Sequence, residues 1–272
     1  MSLRALLASP LGFLIGVSLG ALGGGGSILA VPVLVFVAGQ TPTAATTTSL
    51  VVVGVASLIG MVGHWRNGRV RIGSGLMFGL VGIAGSLAGS ALNHRLDGDV
   101  LLLAFAGLIL IAAWRLTASS SSSETNDEDD TPAEPAADGT VRTRRALTPR
   151  HVLKIVAAGT VVGFLTGLFG VGGGFVIVPA LVLVLEFPMP IAVGTSLLVI
   201  AINTAVALAA RAGSGTIDWE TTVVFTVAAT AGVGAGTRVA DRLNPDSMRR
   251  WFAALLVGVA IYTGARAALA IW

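Results

Sequence analysis

The sequence predicts an all-α polytopic membrane protein. It should have about eight transmembrane segments in two homologous four-segment repeats, each with a broken glycine-rich helix. Three observations predict this. From Ala5 to Trp65 there is no Asp, Glu, Lys or Arg. Over the 272 residues only 11% are charged and 54% are hydrophobic, whereas soluble domains carry about 25% charge. Finally, one glycine-rich segment occurs twice, at an offset of 147 residues.

The first copy runs from Gly16 through Gly20 and the run Gly23, Gly24, Gly25 and Gly26 to Pro32 and Leu34. The second runs from Gly163 through Gly167, Gly170, Gly172, Gly173 and Gly174 to Pro179 and Leu181. The correspondence continues without a gap: Thr48, Ser49 and Leu50 match Thr195, Ser196 and Leu197, Gly85 and Gly89 match Gly232 and Gly236, and Arg95 matches Arg242. Paired repeats with irregular backbone inside apolar segments are a common construction of secondary transporters.

Apolar runs with at most one charged residue, separated by polar breaks, place the eight segments at 11–37, 43–65, 72–92, 100–116, 153–185, 191–210, 221–239 and 251–271. The fourth is short for a span. This divides the chain into a first transmembrane repeat at 5–116, a flexible cytoplasmic linker at 117–150 and a second repeat at 151–272. The linker carries five consecutive serines from Ser119, an acidic run ending at Asp130 and basic residues at Arg142, Arg144 and Arg145, without apolar periodicity. The apolar run after Arg4 imitates a signal peptide, but it ends at no small-residue cleavage site and continues into the repeat.

Lysine and arginine counts orient the chain. With eight spans and both termini cytoplasmic, twelve lie inside and five outside, the five being Arg95, Arg238, Arg242, Arg249 and Arg250. The last loop, with four of these arginines, opposes that orientation. An odd number of crossings per repeat would instead invert the repeats.

Composition also excludes classes. The chain has no cysteine, which removes disulfides, thiolate metal sites and thiol-redox chemistry. The net charge of +3 resides at the ends of apolar runs without interleaved aromatics, so no nucleic-acid partner is expected. No His, Asp and Glu cluster has metal-ligand spacing and no nucleophile–base set stands out, so neither an enzyme nor a cofactor is expected. Asp218, Glu220 and Glu186 fall in loops.

Four successive glycines disfavour a helix interior by about 1 kcal/mol each relative to alanine, and Pro32 and Pro179 each remove a donor. Unpaired peptide groups cost several kcal/mol in hydrocarbon, so such a break must face protein or water. A break followed by a short helix aims backbone N–H groups at one point, an arrangement that binds anions without a cationic side chain. The competing reading is close helix packing, which fits Gly16, Gly20, Gly163, Gly167, Gly82, Gly85, Gly89, Gly232, Gly234 and Gly236. Alanine at Gly25 or Gly172 is expected to lower transport if the break binds substrate.

Thr48, Ser49, Thr195 and Ser196 stand at equal distances from the two breaks. They can donate to a substrate oxygen or bond to carbonyls of their own helix. Asn203, deep in the sixth segment, can bind ligand or clasp another helix. Arg66 and Arg211 end the second and sixth segments, where they can draw anions inward or snorkel. His64 could carry a proton but lies near an interface.

The doubled glycine motif ending in Val-Pro-x-Leu, the following Thr-Ser-Leu copies and the variable central linker resemble the TauE/SafE family of sulfite exporters and related anion permeases. The resemblance spans nearly the whole chain outside the linker. It implies a multi-pass protein of the cell membrane, a small anion such as sulfite, a sulfonate or another organic anion as substrate, and site positions Gly23, Gly25, Gly26, Pro32, Thr48 and Ser49, with Gly170, Gly172, Gly173, Pro179, Thr195 and Ser196. The copies differ at Gly24 against Val171 and Ser27 against Gly174. The expected activity is secondary transport of a small anion, with export of sulfite or a relative foremost. An inside-negative potential supplies about 2.3 kcal/mol per charge per 100 mV to anion export. The alternatives are an anion channel and an uptake carrier coupled to an ion.

Overall fold

The structure, a computed structural model, describes residues 3–93, 98–118, 149–169, 174–210 and 218–271. Helices account for nearly all of them, as an apolar solvent requires when backbone groups must be satisfied within the segment. The first glycine run is a 3₁₀ turn, Gly23–Gly26, between α1 (Leu3–Leu22) and α2 (Ser27–Phe36). Helices α3 (Pro42–Arg66), α4 (Ile72–Asn93) and α5 (Gly98–Ala118) follow. Beyond the central segment come α6 (Pro149–Phe169), α7 (Gly174–Leu183), α8 (Met189–Ala210), α9 (Trp219–Arg242) and α10 (Pro245–Ile271). The expected linker falls almost wholly outside the described residues, as do Gly170, Gly172 and Gly173; Thr117 and Ala118 close α5, and Pro149 and Arg150 open α6.

Helix starts follow local chemistry. Thr41 caps α3, with its side chain accepting from the Ala44 N–H and Pro42 in the first turn. Asp218 caps α9 by accepting from the Thr221 N–H. Six stretches among the described residues are long and apolar enough to cross a membrane. The chain is a multi-pass protein of the cell membrane.

One of the six, Ser9–Phe36, does not run straight. A Cβ built on Gly26 would lie 2.5 Å from the Ile15 carbonyl oxygen and 2.9 Å from the Leu19 nitrogen. A continuous helix would place residue 26 about 16 Å beyond residue 15. The chain therefore turns back at the glycines, and α2 returns alongside α1. The turn comes from the glycines, while Pro32 and Pro179 sit inside α2 and α7 without ending them. The second half also doubles back. Lys154, near the start of α6, pairs with Glu186, just past α7, at 2.8 Å. The expected break of the first glycine-rich helix lies at Gly23–Gly26, but the count of 11–37 and of 153–185 as one crossing each is corrected, because both segments turn back.

Glycines set the helix directions. On α1, a Cβ at Gly16 would strike the Ala229 carbonyl and one at Gly20 the Val233 carbonyl, so α1 and α9 run parallel. On α6, Gly163 meets the Gly82 carbonyl and Gly167 the Ser86 carbonyl, so α6 and α4 run parallel. The close-packing reading of these glycines therefore holds: helix backbones approach to Cα–H···O distance, as small residues allow in membranes. Between them, α3 and α8 are antiparallel: Gly54 faces Thr204 and Gly60 faces Leu197, each at 3.0 Å from the built Cβ.

These directions separate the chain ends from the central segment. The starts of α1, α3 and α9 lie on one face, and the starts of α4, α8 and α10 on the other. Only residues 94–97 join α4 to α5, so α5 starts on the face where α1 and α3 start and ends on the opposite one, where α6 begins. The start of α1 and the end of α10 thus lie across the fold from the end of α5 and the start of α6. Counting each glycine-rich segment as a crossing puts termini and linker on one side; a segment that turns back does not cross, so that arrangement is corrected.

Candidate functional site

The first glycine turn is enclosed on all sides. All four of its residues are buried. Gly23 has a φ of +74°, a left-handed conformation that side chains other than glycine rarely adopt. A Cβ on it would lie 2.5 Å from Ser196 Oγ and 3.1 Å from Val178. At Gly24 a Cβ would land on the Gly174 carbonyl, so the two glycine segments touch backbone to backbone. The Ser27 hydroxyl donates to the Gly24 carbonyl at 2.7 Å, and the Ser27 N–H donates to the same oxygen. Gly25 faces only side chains, with Leu255 at 3.3 Å and Phe252 at 3.5 Å. Parts of α1, α7, α8 and α10 therefore meet around a core of bare peptide groups.

The hydroxyls are buried but do not converge. Thr48 and Thr195 are each 0% exposed. Because α3 and α8 are antiparallel, the two threonines lie toward opposite ends of the pair, roughly 20 Å apart along it at 1.5 Å per residue. The Thr48 and Thr222 hydroxyl oxygens lie 3.3 Å apart, and Thr222 donates to the Asp218 carbonyl at 2.6 Å. Thr48 is thus left to donate to Thr222. Thr195 accepts the Arg71 N–H at 3.1 Å. Ser49 and Ser196 donate to the Thr46 and Val193 carbonyls of their own helices, each at 2.8 Å. The structure thus brings Ser196 to the Gly23–Gly26 turn and leaves Thr48 and Ser49 elsewhere. Gly174 is present at the turn as the first residue of α7. Asn203 lies two helical turns beyond Ser196 on the same face of α8, and its buried Oδ1 has no hydrogen-bond partner.

Among the described residues, the side chains of Arg69, Asp241 and Asp218 stay at the margins of this region. Arg69 pairs with Asp241 at 2.6 Å, and the Asn67 amide donates to the same carboxylate at 3.2 Å. The Thr221 hydroxyl, donating at 2.6 Å, holds the Asp218 carboxyl below the usual carboxylate range despite some burial. Among the described residues no group of three His, Cys, Asp or Glu is placed to hold a metal ion. A cavity of about 400 Å³ beside Val182, Leu183, Glu186, Phe187, Pro188 and Arg249 lies at the chain turn after α7. Its lining is mainly apolar, with Glu186 and Arg249 as its two oppositely charged residues. His64, placed near an interface from sequence, is 0% exposed within the protein, and its Nε2 lies 3.0 Å from the Gly20 carbonyl oxygen near the end of α1. Its position at the end of a helix gave no sign of that.

Comparison with known proteins fits this architecture. The chain matches the family described as Sulfite exporter TauE/SafE over residues 8–263. It is 32% identical over 266 residues to a "Probable membrane transporter protein" of Xylella fastidiosa (strain 9a5c), covering 96% of each chain. Similarity extends to the "Probable membrane transporter protein YunE" of Bacillus subtilis, at 29% identity over 67% of this chain and 66% of that one. A probable membrane transporter protein of Methanocaldococcus jannaschii is also 29% identical, over 68% of this chain and 65% of its own. No solved structure matches. The chain belongs to the TauE/SafE family and is a membrane transporter, not an enzyme.

Proposed function

We propose that this family member is a reversible secondary carrier of small oxyanions, with sulfite or a related sulfur-containing or organic anion as substrate. The meeting of Gly24 with Gly174 carries the proposal: bare peptide backbone from the two halves is brought together in the interior. Such backbone is tolerated in a membrane only where protein or a water-lined path surrounds it. The substrate oxygens would be held by peptide N–H groups of the glycine segments, with the face of Ser196 and Asn203 alongside. Thr48 and Ser49 would serve the corresponding place near the second glycine segment. Rocking of one half against the other would expose the site alternately.

The two halves are inverted repeats in this reading. Shifting the partners by 147 residues turns the contact of Gly16 with Ala229 into that of Gly163 with Gly82, and Gly20 with Val233 into Gly167 with Ser86. Equivalent helices α3 and α8 run in opposite directions. Each repeat then has three crossing helices and one re-entrant hairpin, six crossings in all instead of eight. Arginine placement supports a definite orientation. Of twelve lysines and arginines on described backbone, ten lie toward the face bearing residues 117–150, and only Arg4 and Arg266 toward the other. The four arginines that opposed the earlier orientation now agree. That face is cytoplasmic by the positive-inside rule, and both termini are outside. Trp65, Trp114 and Trp251 are exposed at its rim and Trp219 at the opposite one, as aromatic belts require.

Two measurements test these statements. In proteoliposomes, counterflow of sulfite, thiosulfate, sulfate or sulfoacetate should saturate with concentration and be stimulated by anion on the opposite side. Linear, unstimulated flux would select a channel. The chain's lack of cysteine makes single replacements directly readable. Glu220→Cys should react with an impermeant maleimide from outside intact cells, and Asn244→Cys only after the membrane is opened. The reverse pattern would invert the orientation.

A further inference from the structure

We propose that His64 is the proton site of this carrier, so that proton binding at its imidazole and anion binding at the Gly23–Gly26 turn reinforce each other. The inference deepens the anion-carrier reading and rests on it. His64 is wholly buried in α3. Its Nε2 lies 3.0 Å from the Gly20 carbonyl oxygen, in the last turn of α1 before the glycine break. A carbonyl only accepts, so Nε2 carries the hydrogen. That leaves Nδ1 as a bare acceptor, and it is buried without a partner. A buried acceptor with nothing to accept costs free energy, and a proton would fill it only with an anion nearby, because an unpaired buried charge costs more still.

His64 touches two helices of the proposed machinery, α1 and α8. Through Gly20 it holds α1, which ends at Leu22 just before the glycine turn. On its other side Gly194 of α8 packs so closely that a Cβ there would lie 3.0 Å from His64 Cβ. Two residues along α8, Ser196 approaches Gly23. The facing charges are Arg69, from the turn after α3, and Asp241, from α9. They pair with each other, which leaves the imidazole without a dedicated counter-ion. Neither Gly20 nor Gly194 brings a titratable side chain. A protonated His64 would therefore add an unneutralised positive charge about one helical turn from the glycine break. An anion there would stabilise that charge, and the charge would hold the anion. Linkage makes the two effects equal.

The proton stays on His64 or returns to water; no covalent step is involved. The test uses the full chain in proton-tight proteoliposomes, with the counterflow panel above measured between pH 6 and 8. The half-saturation concentration should be at least about fivefold lower at pH 6 than at pH 8, the lower end of ordinary coupling between two sites. Anion entry should carry protons, read with an internal pH dye. His64→Gln keeps an N–H for the Gly20 carbonyl but cannot bind a proton in this range. It should transport with a flat pH profile and without proton movement; His64→Asn is the second variant. Titration of the anion itself is common to all these proteins and cancels in the comparison. A wild-type profile retained in His64→Gln or His64→Asn overturns the proposal. So does wild-type anion entry without protons, a result that needs no variant. Absence of counterflow with every anion would defeat the carrier reading itself, whereas net anion entry down its gradient without proton movement defeats only the role of His64.

Discussion

Gly24→Ala is expected to cost more than any other single-methyl addition in the first glycine turn. The added carbon would fall on the Gly174 carbonyl, a backbone atom that cannot rotate away. Either the two glycine segments separate or the 3₁₀ turn is lost. Overpacking a tight interior costs about 1–3 kcal/mol, more when backbone must move. We expect at least a tenfold loss of substrate-dependent counterflow, with a lower unfolding temperature in detergent. Gly25→Ala is the comparison. Its new methyl would meet the ends of Leu255 and Phe252 at 3.3 and 3.5 Å, and side chains can yield by a few tenths of an ångström. Near-wild-type flux in Gly25→Ala beside lost flux in Gly24→Ala would locate the critical contact. Equal, wild-type behaviour in both would show that the meeting of the two segments is dispensable.

Gly163→Ala should unlock the packing of α6 on α4. Its Cβ would collide with the Gly82 carbonyl, which belongs to a helix backbone that is itself held by Gly85 and Gly89 against Thr160 and Phe164. The expected loss is about 1–3 kcal/mol of stability. Gly107→Ala provides the opposite sign: nothing lies within 4 Å of its built Cβ, and alanine favours a helix by up to about 1 kcal/mol over glycine. Gly16→Ala, at the α1–α9 crossing, should repeat the loss, and the double variant should lose nearly the sum because the crossings share no partners. Thermal unfolding of the four purified variants and the wild type in one detergent decides this. A Gly163→Ala protein as stable as wild type would mean that the crossing tolerates separation.

Sequence and structure divide these residues unevenly. The run Gly23–Gly26 announced a break because four glycines disfavour a helix wherever they occur. Its turning back could not be read there, since an apolar segment of 28 residues has the same composition whether it crosses or returns. Sequence singled out Gly25 for replacement, since Gly172 repeats it, ahead of Gly24, whose counterpart is Val171. The contact with Gly174 reverses that order. The Thr-Ser pairs looked convergent because they sit at equal distances from the two breaks, yet antiparallel packing of α3 and α8 sends Thr48 and Thr195 to opposite ends. His64 sat at the end of an apolar run, like any interfacial residue, until Gly20 and Gly194 closed over it.

The sequence by itself determined the membrane class, the helical content, the internal duplication and the positions where regular helix must fail. These follow from composition and from local backbone preference, properties that each segment carries alone. Only the tertiary structure decided the direction of each helix, the face on which the termini emerge, the meeting of Gly24 with Gly174 and the burial of His64. Those depend on contacts between residues far apart in the chain. In a membrane protein, apolar side chains face lipid and core alike, so hydrophobic pattern does not tell one face from the other. The decision falls instead to close backbone approach at glycines, whose partners no local rule names.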